Sequence, residues 1–76
     1  MNKLKIRLDT MKDINKFLKV TNTVPFSVML TNNDGFTVNG KSYLGAVYAS
    51  AEWTEIYCVS EESLSEKLLD LIVDDD

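Results

Sequence analysis

Four consecutive turn-forming residues near the middle of the chain constrain its fold most. The run Asn32-Asn33-Asp34-Gly35 tolerates the positive φ angles of tight turns. Before it, Phe26, Val28 and Leu30 recur at every second position, which is typical of a half-buried strand, and residues 36–39 supply a returning strand. Because strands joined by so short a turn pair antiparallel, the sequence predicts a hairpin in an antiparallel sheet.

The first quarter of the chain predicts a strand and then a helix. Residues 3–8 alternate strictly between basic and aliphatic side chains, so they predict a strand with one buried face. Thr10, followed three residues later by Asp13, resembles a capping box with Asp in place of Glu, and predicts a helix over about residues 11–20. Asn22 is predicted to end this helix in a left-handed conformation, and Pro25 keeps it from resuming.

After the hairpin, the sequence predicts the end of a strand, a turn and a capped apolar helix. Gly40 allows the chain to leave the strand at an angle that a Cβ would resist, and Ser42 is placed to cap the helix. Apolar side chains spread around more than half of this helix, so we expect part of them to remain exposed as a partner surface. The alternative is a simple cap and core helix. The apolar side chains are Tyr43, Leu44, Val47 and Tyr48.

The last part of the chain predicts a strand and a third helix. Residues 50–53 are interpreted as a short connection and residues 54–59 as a strand with Ile56 and Cys58 on its buried side. Ser60, followed by two glutamates, favours a helix start, since carboxylates suit the positive end of the helix dipole. The apolar stripe of that helix consists of Leu64, Leu68, Leu71 and Ile72.

These elements predict a single α+β domain over residues 1–76, in the order β-α-β-β-α-β-α. The net charge of −4 disfavours a nucleic acid partner, and no apolar run is long enough to cross a bilayer. We therefore expect a cytoplasmic protein. With no histidine and one cysteine, a zinc site of the usual kind is excluded, and no cofactor is indicated.

The segment Val38-Asn39-x-Lys41-Ser42-x-x-Gly45 resembles the region around the regulatory serine of HPr, the small phosphocarrier of the bacterial sugar phosphotransferase system. The resemblance implies an open-faced sandwich in which a four-stranded antiparallel sheet of order 1-4-2-3 carries three helices on one face. HPr transfers phosphate through a histidine at the start of its first helix. The corresponding residues here, 9–14, contain no histidine, arginine or proline, so ordinary phosphocarrier activity is excluded. The chain is therefore similar to the histidine-less catabolite-repression HPr-like proteins.

The resemblance also implies functional residues. Ser42 matches the serine that an HPr-type serine kinase phosphorylates, and Tyr43 and Val47 match residues that contact partners such as a transcriptional regulator or an enzyme. The residues themselves add Tyr48 and a basic stripe containing Lys12 and Lys16 as candidate partner contacts, although such a stripe is usually only a solvated helix face. The alternative is an HPr-fold interaction scaffold without phosphorylation.

An enzyme is disfavoured by the residues. An acyl phosphate on Asp9 or Asp13 would require two carboxylates to accept an incoming phosphoryl group without a metal, and both residues serve readily as helix caps. A catalytic Cys58 would lie on a buried strand position with no candidate base nearby. The sequence therefore predicts a non-catalytic binding protein.

Overall fold

The computed structural model describes residues 1–73. It contains four strands and two α-helices, which we name β1 (Asn2–Ile6), α1 (Met11–Thr21), β2 (Val28–Thr31), β3 (Thr37–Asn39), α2 (Tyr43–Glu52) and β4 (Ile56–Ser60). A 3₁₀ helix over Leu69–Leu71 follows β4. The strands form one antiparallel sheet of order β1-β4-β2-β3, so the predicted α+β class and strand order are confirmed.

One hydrophobic core joins the sheet to both helices. β4 lies between β1 and β2, and its Cys58 is aligned with Leu4 on one side and Leu30 on the other. Phe17 of α1 and Ala46 of α2 are completely buried in the same cluster of side chains. The alternating burial along β4 shows that one face of the sheet forms this core.

The predicted hairpin turn is confirmed, but only one of its residues has a positive φ. Gly35 has a φ of +87°, and no other residue within 1–73 has a positive φ. The Asn32 side chain instead accepts hydrogen bonds from the backbone N–H groups of Asp34 and Phe36, at 3.0 Å each. The turn therefore depends on the positive φ of Gly35 and on the Asn32 side chain, which serves as acceptor for two backbone N–H groups.

Helix α1 begins as predicted and ends differently. Thr10 Oγ1 accepts a hydrogen bond from the Asp13 N–H at 3.1 Å, and the Asp13 carboxylate accepts one from the Asp9 N–H at 3.0 Å. At the other end, the prediction of a left-handed Asn22 is wrong, since its φ is −79°. The Asn22 N–H and side-chain amide both donate to the Leu18 carbonyl at 2.9 Å, and the Thr23 N–H donates to the Val20 carbonyl at 3.1 Å. Carbonyl groups at the end of the helix thus have donors without a left-handed residue.

Helix α2 is longer than predicted. It continues to Glu52, so the predicted connection over residues 50–53 is wrong. Ala49, Ala51 and Glu52 are good helix formers, and no glycine or proline interrupts them. Trp53 then closes the helix by donating its N–H to the Ala49 carbonyl at 3.0 Å. No helix within residues 1–73 is both long and apolar enough to span a bilayer.

The prediction of a third α-helix is wrong. Ser60, expected to start it, is a buried residue of β4, and the segment that follows consists of turns and the 3₁₀ helix. The Ser63 hydroxyl accepts from the Ser65 N–H at 3.2 Å, which gives the backbone an alternative to helical hydrogen bonds. Leu64, Leu68 and Leu71 are nevertheless buried, so the predicted apolar stripe reaches the core without a regular helix.

The end of this segment runs beside β1. Ile72 forms an antiparallel bridge with Ile6, the Arg7 N–H donates to the Leu71 carbonyl at 2.8 Å, and the Val73 N–H donates to the Lys5 carbonyl at 2.9 Å. These bonds occupy backbone groups on the outer edge of β1. A continuing helix would have left them without these partners, which is a second reason why the helical pattern is not realised.

Candidate functional site: the start of helix α2

The turn that leads into α2 lies very close to β2. Gly40 donates its N–H to the Val28 carbonyl at 2.7 Å, and a Cβ on Gly40 would lie 2.8 Å from that oxygen. The expectation that a Cβ would be resisted at Gly40 is therefore confirmed, although the φ of Gly40 is not positive. Glycine is needed because the backbone passes too close to β2 for any side chain.

Ser42 occupies the predicted capping position. Its Oγ accepts from the Gly45 N–H at 3.2 Å, and the residue is half-buried. Gly45 itself lies tightly against β3, because a Cβ there would be 2.8 Å from the Asn39 carbonyl oxygen. The serine hydroxyl therefore lies among the N–H groups of the first helical turn, where negative charge is favoured.

The C-terminal end of α1 holds this turn in place. Thr21 Oγ1, which is buried, donates to the Gly40 carbonyl at 2.9 Å, and the Asn22 side chain donates to the Lys41 carbonyl at 3.3 Å. The Lys41 ammonium in turn donates to the Val24 carbonyl at 2.7 Å. We call these three bonds the α1 clamp, and they fix the position of the first turn of α2.

The outer face of α2 exposes large apolar side chains, as expected. The exposed fractions are 51% for Tyr43, 77% for Leu44 and 53% for Tyr48, whereas Val47 is half-buried. The inner face is formed by the completely buried Ala46 and Ala49. We call the outer group the α2 patch: Tyr43, Leu44, Val47 and Tyr48. That this patch binds a partner stays a prediction.

Leu44 is the member of the α2 patch that was not predicted as a partner contact. It is the most exposed of the four, yet the resemblance pointed only to its neighbours. The spacing of the apolar residues contained the signal: residues four apart lie on the same side of a helix, so Leu44 lies beside Tyr48.

The two candidate lysines of α1 differ in their surroundings. Lys16 forms an ion pair with Asp70, and this hydrogen-bonded cation, together with the charge of Arg7, lowers the pKa of the Asp70 carboxyl. Lys12 is exposed and has no hydrogen bond or ion pair with any residue of 1–73. Within that range, Lys12 is therefore the freer of the two to contact a partner.

Residues 9–14, which the resemblance aligns with the phosphocarrier site of HPr, contain the capped start of α1. The Arg7 guanidinium lies 3.6 Å from the Asp9 carboxylate and 3.7 Å from the Asp13 carboxylate. Both carboxylates thus face a cation, and Asp13 also serves as a cap. Among residues 1–73, no group of three or more His, Cys, Asp and Glu side chains could hold a metal ion.

Comparisons with known proteins add no relatives to these observations. No protein-family model, no curated protein and no solved structure matches this chain.

Proposed function

We propose that this chain is a non-catalytic, HPr-like regulatory protein of the bacterial cytoplasm that binds a protein partner through the α2 patch. The observation that carries the proposal is the exposure of Tyr43, Leu44 and Tyr48 on one short helix. Contiguous apolar side chains of this size on a small protein mark interaction surfaces. The partner is a transcriptional regulator or an enzyme, and the protein itself has no phosphocarrier role because it has no histidine.

The strand order supports the HPr-like part of the proposal. An antiparallel sheet of order β1-β4-β2-β3 with α2 entering directly after β3 is the arrangement that the resemblance around Ser42 implies. The replacement of the third helix by turns and a 3₁₀ helix departs from it. That departure lies after β4 and involves neither Ser42 nor the α2 patch.

Phosphorylation of Ser42 by an HPr-type serine kinase is the proposed means of regulation. A phosphate on this hydroxyl would lie against the N–H groups of the first turn of α2, one of which, that of Gly45, already donates to the oxygen. The added charge would therefore border the α2 patch without unfolding the helix.

Incubation with an HPr-type kinase and ATP tests this regulation. Intact-mass measurement should show one added phosphate on the wild-type chain and none on Ser42→Ala. Ser50→Ala is the matched control, since Ser50 is also half-buried on α2 but its hydroxyl donates to the Leu8 carbonyl at 2.6 Å. A phosphate that persists in Ser42→Ala, or no phosphate on the wild type, would remove Ser42 from the proposal.

Affinity capture from the native cytosol tests the α2 patch. Capture of a partner that binds there should be lost with Leu44→Asp and reduced with Tyr43→Ala. The partner should still be captured with Leu69→Asp, which places the same charge on a leucine of the 3₁₀ helix that is 69% exposed. Equal loss of capture with Leu44→Asp and Leu69→Asp would contradict binding through the α2 patch. Capture that is unchanged in Ser42→Asp and in Ser42→Ala would favour the alternative, a scaffold that needs no phosphorylation.

A further inference from the structure

An open groove separates the β2–β3 turn from the C-terminal end of α2. It has a volume of about 270 Å³. Three aromatic side chains, those of Phe36, Tyr48 and Trp53, form its apolar part. The remaining lining residues are Asn32, Asn33, Asp34, Glu52, Thr54 and Glu55. We call this feature the aromatic groove.

Two of the three aromatic side chains lie outside the core. Phe36 is 65% exposed, and neither Phe36 nor Tyr48 belongs to the side chains that pack into the core. Trp53 packs partly against the core and meets the Tyr48 ring edge to face, with the ring centroids 6.1 Å apart. The groove therefore presents aromatic rings in a defined arrangement whose outer members stabilise the fold little.

The charges of the groove are all negative. Asp34, Glu52 and Glu55 line it, and none of its lining residues is a lysine or an arginine. Glu55 is already engaged, because Lys5 lies 3.2 Å from its carboxylate, the Tyr57 hydroxyl donates to it at 3.2 Å, and the Asn33 amide donates to it as well. These partners lower the pKa of Glu55, with Lys5 contributing most.

The other two carboxylates have no such partners. The side chains of Asp34 and Glu52 form no hydrogen bond or ion pair with any residue of 1–73. They stand on opposite sides of the groove, Asp34 in the β2–β3 turn and Glu52 at the last position of α2. An occupant of the groove thus meets aromatic rings together with two unpaired negative charges.

We propose that the aromatic groove binds an arginine side chain of a basic segment in a partner protein. A guanidinium group is planar, so its face stacks on an aromatic ring while its N–H groups donate to carboxylates. Charge-assisted bonds of this kind are stronger than those between neutral groups. The groove supplies both contacts, and its volume suits one side chain. This site goes beyond the α2 patch, with which it shares only Tyr48.

Fluorescence of Trp53 provides a direct measurement, since it is the single tryptophan of the chain and lies in the groove. The probe is a short peptide, acetylated and amidated, with one arginine between glycines. The same peptide with citrulline, which keeps the shape and removes the charge, is its control. We expect saturable binding of the arginine peptide, and at least about fivefold weaker binding of the citrulline peptide.

Substitutions then locate the binding. Phe36→Ala and Glu52→Gln should each lower the affinity for the arginine peptide by about threefold or more. Glu62→Gln removes the same charge from an exposed residue outside the groove and should leave binding unchanged, as should Leu44→Ala in the α2 patch. Circular dichroism of each variant confirms that it is folded.

Three results would overturn the proposal. Equal affinity for the arginine and citrulline peptides would show that charge is not recognised. Equal weakening by Glu62→Gln and Glu52→Gln would show that only the net negative charge of the protein matters. Tighter binding of a matching lysine peptide would reject arginine as the occupant. None of these results bears on the α2 patch, which the capture experiment tests separately.

Discussion

At the scale of single residues, Cys58 shows how the fold suppresses reactivity. It is 1% exposed in the central strand β4, and burial raises the pKa of its thiol to about 12. The thiolate is the reactive form, so the folded protein should not react with iodoacetamide at mildly alkaline pH, and should take up one equivalent after unfolding in guanidinium chloride. Intact-mass measurement in both conditions checks this. Rapid modification of the folded chain would show that the strand opens readily or that the thiol has a chemical role.

Other single residues show what sequence alone can and cannot predict. The caps at Thr10 and Ser42 were predictable, because a hydroxyl before an apolar helix has few other roles. The atoms that exclude a side chain at Gly40 were not predictable, because its close approach to Val28 exists only once β3 is paired with β2. The exposure of Phe36 was equally hidden, since a strand pattern does not show how far a short hairpin extends beyond the helices.

At the scale of elements, the segment after β4 stabilises the fold without being a helix. Leu68→Ala should lower the free energy of unfolding by about 2–5 kcal/mol, because Leu68 is buried in the core. Leu69→Ala, at the exposed neighbouring position, should change it by less than about 0.5 kcal/mol. Urea denaturation of both variants measures the difference. Similar small changes in both would mean that the segment detaches from the sheet in solution.

The same segment marks the limit of predicting elements from periodicity. Leu64, Leu68 and Leu71 are spaced as on a helix, and that spacing correctly identified which side chains are buried. It failed to predict the backbone, because the hydrogen bonds of residues 71–73 with β1 are contacts between distant parts of the chain. In α2 the sequence signals were local, so the helix was predictable and only its end was misplaced.

At the scale of the whole molecule, the basic first part of the chain meets the acidic last part. Lys16 pairs with Asp70, and the Arg7 guanidinium donates to the Asp70 carbonyl at 3.0 Å. The lowered pKa of Asp70 means that its carboxylate stabilises the folded state above the ordinary value of 3.8, and that this stabilisation is lost as the pH falls below that value. The melting temperature of Asp70→Asn should therefore lie below that of the wild type at neutral pH, with a gap that closes in acid.

Asp34→Asn is the matched control for charge, because Asp34 has no ion pair with residues 1–73. A gap that closes in the same way for both variants would assign the effect to net charge and not to the pair with Lys16. The strand order of the whole molecule was predicted correctly, but this prediction came from the resemblance around Ser42, since turn signals alone do not decide which distant strands are neighbours.

The α1 clamp affects how a modification of Ser42 would change the binding of a partner to α2. Thr21, Asn22 and Lys41 already hold the first turn of α2 in one position, so a partner that docks on Tyr43 and Leu44 meets a preorganised surface and loses little affinity to ordering it. A modification at Ser42 would not need to move the helix, and the partner would sense a change of charge on an otherwise unaltered shape.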